Sequence, residues 1–136
     1  MLIVVSSTLL RCGQEKVMDN LLSLQEGTFP IIAPANYSGC NAELMLDESA
    51  TSGWASKKGN VDNNQFVFEM VNAAELEFFE FDTASIDKEG AGAKDITVEV
   101  SNASEYSGYE LVLKASLAPK SDNQKFNAQK RLMGVL

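Results

Sequence analysis

The chain has 136 residues, 45% of them hydrophobic and 22% charged, a size and balance that fit one domain around a single core and exclude a disordered chain. Nineteen acidic against eleven basic residues leave a net charge of −8, which repels phosphate backbones and anionic lipid and so argues against nucleic acid or membrane partners. The sequence contains no histidine, and with no Cys-x-x-Cys pair, phosphate-cradling glycine loop or nucleophile elbow it points away from catalysis.

Residues 1–15 read as an N-terminal arm. The apolar run Leu2 to Leu10 is too short to span a bilayer and has no basic residue before it, so it makes neither a membrane helix nor a secretory leader. Leu2 to Val5 reads instead as an edge strand or a displaced arm. Cys12 follows Arg11, where a lipid-modified cysteine needs a small neighbour. Cys12 and Cys40 leave one disulfide or two free thiols equally open.

Val17, Leu21, Leu22 and Leu24 fall at spacings that fit a helical turn within Lys16 to Leu24, which Gly27 ends. Phe29 to Ala33 contains Pro30 and is closed by Pro34, so it fits only an edge strand or an extended arm, because proline donates no ladder hydrogen bond. A polar loop follows and carries Tyr37.

Asn41 to Ser56 reads as the organising stretch. A short helical turn over 41–46, capped by Asn41, places Leu44, Met45 and Leu46 on the core. Asp47, Glu48, Ser49, Thr51 and Ser52 then crowd oxygen atoms into a tight loop before Gly53 and Trp54. Asp47, Ser49 and Ser52, with backbone carbonyls, form a candidate calcium site; the alternative is an Asx-type turn that bonds only its own backbone. Trp54, beginning a strand after a turn, reads as a structural core plug rather than a sugar platform.

Beyond a charged connection containing Lys57, Lys58, Asn63 and Asn64, alternating strands begin. Phe66, Phe68 and Met70 share one face, with Val67, Glu69 and Val71 on the other. Leu76 to Asp82 is a second strand, with adjacent Phe78 and Phe79 on opposite faces unless a bulge intervenes. Glu75, Glu77, Glu80 and Asp82 read as a solvated sheet face. Ile96, Val98 and Val100 alternate with polar residues, and Leu111, Leu113, Ala115 and Leu117 repeat the pattern. Strands with hairpin-length spacers and little helix predict an all-β fold, an antiparallel β-sandwich. Tyr37, Tyr106 and Tyr109, together with Asn63 and Asn64, are the candidate ligand contacts, since tyrosine stacks on a sugar while its hydroxyl bonds a polar group.

The ordered combination of helical turn, Asp47 loop, Trp54-Ala55-Ser56, the strand Gln65 to Met70, and Lys94-Asp95-Ile96-Thr97-Val98-Glu99-Val100-Ser101 resembles the discoidin, or coagulation-factor type C, domains of the galactose-binding-like superfamily. The likeness runs from about Asn20 to Phe126. It is nearer still to discoidin-like domains of bacterial envelope proteins, through Asn20-Leu21-Leu22-Ser23 and Gly90-Ala91-Gly92-Ala93-Lys94-Asp95. The resemblance implies an eight-stranded jelly roll over 16–136, an extracytoplasmic setting, loops at one end that bind a glycan or cell-surface polymer, and a structural calcium ion nearby.

Two departures stand out. Glu48 follows Asp47 where the family has glycine, and Ser52 replaces threonine. Lys130 to Leu136 matches poorly, so the sandwich looks one strand short, its open edge filled by the chain's own end, by the Leu2 to Val5 arm or by another copy in a homo-oligomer. A non-catalytic carbohydrate-binding module is the leading expectation. The alternatives are an assembly module that completes its sheet with another chain, and a glycan hydrolase.

Overall fold

The computed structural model describes residues 4–11, 15–49, 51–60, 63–72, 74–84, 93–129 and 133–134, with backbone alone for 4–11, 15–19 and 133–134. Among the described residues ten strands run in chain order: β1 Val4–Arg11, β2 Glu15–Asn20, β3 Phe29–Ile32, β4 Val67–Glu69, β5 Ala74–Glu75, β6 Phe78–Phe81, β7 Asp95–Val100, β8 Glu110–Ser116, β9 Gln124–Asn127 and β10 Met133–Gly134. A 3-10 turn over Ala42–Met45 is the only helical element among the described residues. Every pairing is antiparallel. The fold is therefore all-β, and no helix among the described residues is long and apolar enough to cross a membrane.

The largest sheet has the order β2-β1-β6-β9, and three two-stranded ladders join β3 to β4, β7 to β8 and β5 to β10. Segment 15–20 corrects the helical reading of Lys16 to Leu24: it pairs residue for residue with β1, from Ser6 opposite Asn20 to Arg11 opposite Glu15. A helical turn of that length is marginal alone, and the ladder to β1 satisfies its backbone instead. The start of the chain's N-terminal arm is strand, as expected. Val4 to Ser6 pairs with Glu80 to Phe78 of β6, and β2 joins β1 only from Ser6 onward, so Val4 and Val5 are paired on one side alone among the described residues. Leu2 and Cys12 lie outside the described residues, and Cys40 is a free, half-buried thiol.

Among the described residues β3 pairs with β4 alone, the edge position that Pro30 requires. β6 runs against β9 in unbroken register. Its Phe79 and Phe81 are 0% and 1% exposed and belong to the core. Phe78 points to the other face, where the Lys125 ammonium sits 3.8 Å from its ring centre. That lid explains how two adjacent phenylalanines are both buried without a bulge.

β7 alternates as its sequence predicts, with Ile96, Val98 and Val100 buried and the residues between them exposed. β8 departs from the expected pattern. The register shifts between Val98 and Glu99, so that Val112 is inserted, buried Val112 and Leu113 adjoin, and Leu111 turns out to solvent.

Met45 of the 3-10 turn and Leu46 just after it join Phe66, Phe68, Met70, Leu76, Phe79, Phe81, Ile96, Val98, Val100, Val112 and Leu113 in one cluster. Phe66 and Phe68 stack at 6.0 Å, and Phe126 meets Phe81 at 5.9 Å. Just past this end of β6 the chain is tied by Thr83, whose buried hydroxyl donates to the Ala118 carbonyl at 2.8 Å and accepts from the Ser121 amide at 3.1 Å.

Candidate functional site

Two loops carry the most exposed aromatic side chains among the described residues, Tyr106 at 80% and Tyr37 at 61%. Both are built from hydrogen bonds that use the backbone and the short side chains beneath them.

The loop between β7 and β8 begins at Ser101, which is buried. Its hydroxyl donates to the Ser107 carbonyl at 2.6 Å and accepts the Ala103 amide at 3.1 Å. Ser104 accepts the Tyr106 amide at 3.2 Å and meets the Ser107 hydroxyl at 3.0 Å. Gly108 closes the loop at φ +77, and a side chain there would meet Ala103 Cβ at 2.8 Å. Serine recurs here because its hydroxyl bonds nearby backbone in tight turns. Tyr106 therefore stands out from a braced loop. Tyr109 differs: it is half-buried and donates its hydroxyl to the Glu105 carbonyl at 2.8 Å. Burial, with the charges of Glu105 and Glu99 nearby, raises its pKa above the ordinary 10.0. Its role within the loop is to brace the turn.

Tyr37 lies where the chain leaving β3 runs against the segment after Trp54. Asn36 and Ser56 form an antiparallel bridge. On either side of it the Tyr37 amide donates to the Ala55 carbonyl at 2.8 Å and the Lys57 amide to the Ala35 carbonyl at 3.1 Å. The Asn36 side chain bonds the Tyr37 carbonyl at 2.8 Å and Asn41 Oδ1 at 3.1 Å. Asn41 thus serves this loop, and no side-chain cap from it reaches the 3-10 turn, contrary to the sequence reading. Asn64 is joined to the same segment through Asn60, whose amide nitrogen donates to it at 2.7 Å, while the Asn60 amide closes a turn on Lys57 at 3.0 Å. Asn63 is exposed and adopts φ 53.

The structure thus brings Tyr37, Lys57 and Asn64 into one loop system and groups Tyr106 with Tyr109 in another. The two groups stand on separate loops, one after β3 and the other between β7 and β8. Asn60, Ser101, Ser104 and Ser107 were not singled out from sequence. The repeated serines between two strands carried the signal.

The Asp47 loop is closed by its own bonds. Asp47 Oδ1 accepts the Ser49 amide at 2.9 Å and Oδ2 the Ser52 hydroxyl at 2.6 Å, while Ser49 and Thr51 hydroxyls meet at 3.2 Å. Both carboxylate oxygens are engaged, and among the described residues no three acidic, Cys or His side chains converge. These bonds make the loop an Asx-type turn, built from the same side-chain oxygens that the calcium reading names. Glu48 sits at φ 60 and its carboxylate accepts the Asn20 side chain at 3.2 Å. Trp54 packs on the core edge-on to Phe66 at 4.8 Å, and its indole N–H is buried with no hydrogen-bond partner among the described residues.

No family model, no curated protein and no solved structure matches the chain.

Proposed function

We propose that the protein is a non-catalytic binding module that recognises a carbohydrate or cell-surface polymer through Tyr37 and Tyr106. One observation carries the reading: the two most exposed aromatic side chains stand on loops already closed by hydrogen bonds. An aromatic face fixed in place before the ligand arrives loses little conformational entropy on binding.

The discoidin likeness favours the same reading, with the antiparallel ladders arranged as a jelly-roll sandwich. Glu48 lends it support, because it occupies the family's glycine position and adopts φ 60, the left-handed region that glycine favours. The calcium that the likeness implies is not needed for this reading, since the Asp47 loop closes on itself. A glycan array probed with wild type, Tyr37→Ala and Tyr106→Ala tests the proposal. Hits weakened by either substitution support it; an array without hits, with and without calcium, overturns it.

A second reading has its own observation. Phe29, Ile31 and Val71 are exposed apolar residues on or beside the β3–β4 ladder, where Phe29 lies opposite Glu69. A face of this kind suits self-association. Sedimentation across micromolar concentrations tests it, and a monomer throughout removes it.

A further inference from the structure

We propose that the Tyr37 loop is a subsite for an acidic sugar, in which Tyr37 stacks on the pyranose and Lys57 pairs with its carboxylate. The inference rests on the binding-module reading and assigns the ligand's chemical class at one of its two loops.

The register supplies the geometry. With Asn36 opposite Ser56, Tyr37 bonded to Ala55 and Lys57 bonded to Ala35, the four residues 35, 37, 55 and 57 fall on one side of the bridge, and Asn36 and Ser56 on the other. Tyr37 and Lys57 are then diagonal neighbours, a separation of about 7–8 Å between backbones that long side chains readily span. The two remaining positions on that side, Ala35 and Ala55, carry only methyl groups. Nothing bulky on the bridge itself stands between the aromatic face and the ammonium.

Tyr37, Lys57 and the adjoining Lys58 are all exposed. A ring face takes up the C–H surface of a pyranose, and an ammonium forms a charge-assisted bond to a carboxylate. The whole chain carries −8, but charges farther than about 8 Å are largely screened at physiological salt, so an anion at this loop responds chiefly to its nearest cations. That limits the ligand to a sugar with an isolated acidic group, because a dense polyanion would reach the acidic remainder of the surface. The Tyr106 loop differs in sign, with Glu105 beside the tyrosine and no lysine between Val100 and Leu113.

Calorimetric titration with an aldobiouronic acid, one glucuronic acid on a neutral sugar, and with its carboxyl-reduced counterpart isolates the charge. Wild type is expected to bind the acid about tenfold more tightly than the reduced form. Raising the ionic strength narrows that gap, Lys57→Gln removes it, and Tyr37→Ala weakens both ligands. Equal affinity for the two disaccharides, or a preference unchanged in Lys57→Gln, overturns the inference. If neutral glycans bind through Tyr106 while neither disaccharide binds, this inference alone falls. If nothing binds at all, the binding-module reading falls with it.

Discussion

The Ser101 hydroxyl reaches across the β7–β8 loop to the Ser107 carbonyl at 2.6 Å, and this bond holds the ends of the turn that presents Tyr106. Replacing Ser101 with alanine removes two part-buried bonds at once and leaves the Ser107 carbonyl and the Ala103 amide without their shared partner. The expected loss is about 1–3 kcal/mol, read as a lower urea midpoint at constant m-value. Affinity for any glycan held by Tyr106 should fall as well, although Ser101 is too deep to touch it. Stability and affinity both unchanged would show that the hydroxyl does not set the loop.

Tyr109 makes stability depend on pH at the alkaline end. Its pKa is raised above 10.0, first by burial and then by the charges of Glu105 and Glu99. The unfolded chain therefore loses this proton at lower pH than the folded one does. The stability linked to the neutral phenol is fully present below pH 10.0 and declines as pH rises through the folded value. Tyr109→Phe should lose about 1 kcal/mol at neutral pH through the missing bond to Glu105. Its unfolding midpoint should then fall less than that of wild type between pH 9 and 11. Parallel declines in the two proteins would place the alkaline loss elsewhere.

β7 was legible because one of its faces is buried and its own residues alternate strictly between core and solvent. β8 was legible as a strand, but which of its residues face inward was not. The inserted Val112 resets the alternation, and nothing within Leu111-Val112-Leu113 reveals from sequence which side each apolar residue takes. The strand at Glu15–Asn20 was missed because its ladder depends on β1, a contact between segments that local spacing does not encode. In the candidate site, tyrosines on polar loops were visible as a residue type. Their grouping was not, since the pairing of Asn36 with Ser56 spans a long loop, and the division of labour between Tyr106 and Tyr109 depends on which hydroxyl finds the Glu105 carbonyl.

Glu48 and Asp47 yield opposite expectations within one loop. Glu48 holds φ 60, where a side chain costs about 1 kcal/mol relative to glycine. Its bond to Asn20 is exposed and so of little weight. Glu48→Gly should raise stability by up to about 1 kcal/mol, against the usual direction of a glycine substitution. Asp47→Ala should lower it by about 1–3 kcal/mol, because both carboxylate oxygens hold the turn. Because these bonds close the loop without an ion, a chelator should leave the wild-type melting temperature unchanged; a drop on chelation would mean that Asp47 serves a metal instead.

Gly27 and Gly108 both adopt a left-handed backbone, at φ +83 and +77, so alanine at either pays about 1–2 kcal/mol before any contact is counted. What each new methyl group meets then separates them. At Gly27 the nearest atom is Val71 Cγ2, at 2.6 Å, on a side chain that is 64% exposed and free to turn outward. At Gly108 it is Ala103 Cβ, at 2.8 Å, which has no rotamer to change, with the buried Ser101 hydroxyl at 3.2 Å behind it. Gly108→Ala should therefore be the more damaging, by about 1 kcal/mol or more. Val71→Ala should be nearly neutral alone and restore little of the Gly27→Ala loss, because backbone conformation accounts for most of it. Chemical denaturation of the four variants decides the matter: full rescue of Gly27→Ala by Val71→Ala would show that the valine, and not the left-handed backbone, makes glycine necessary there.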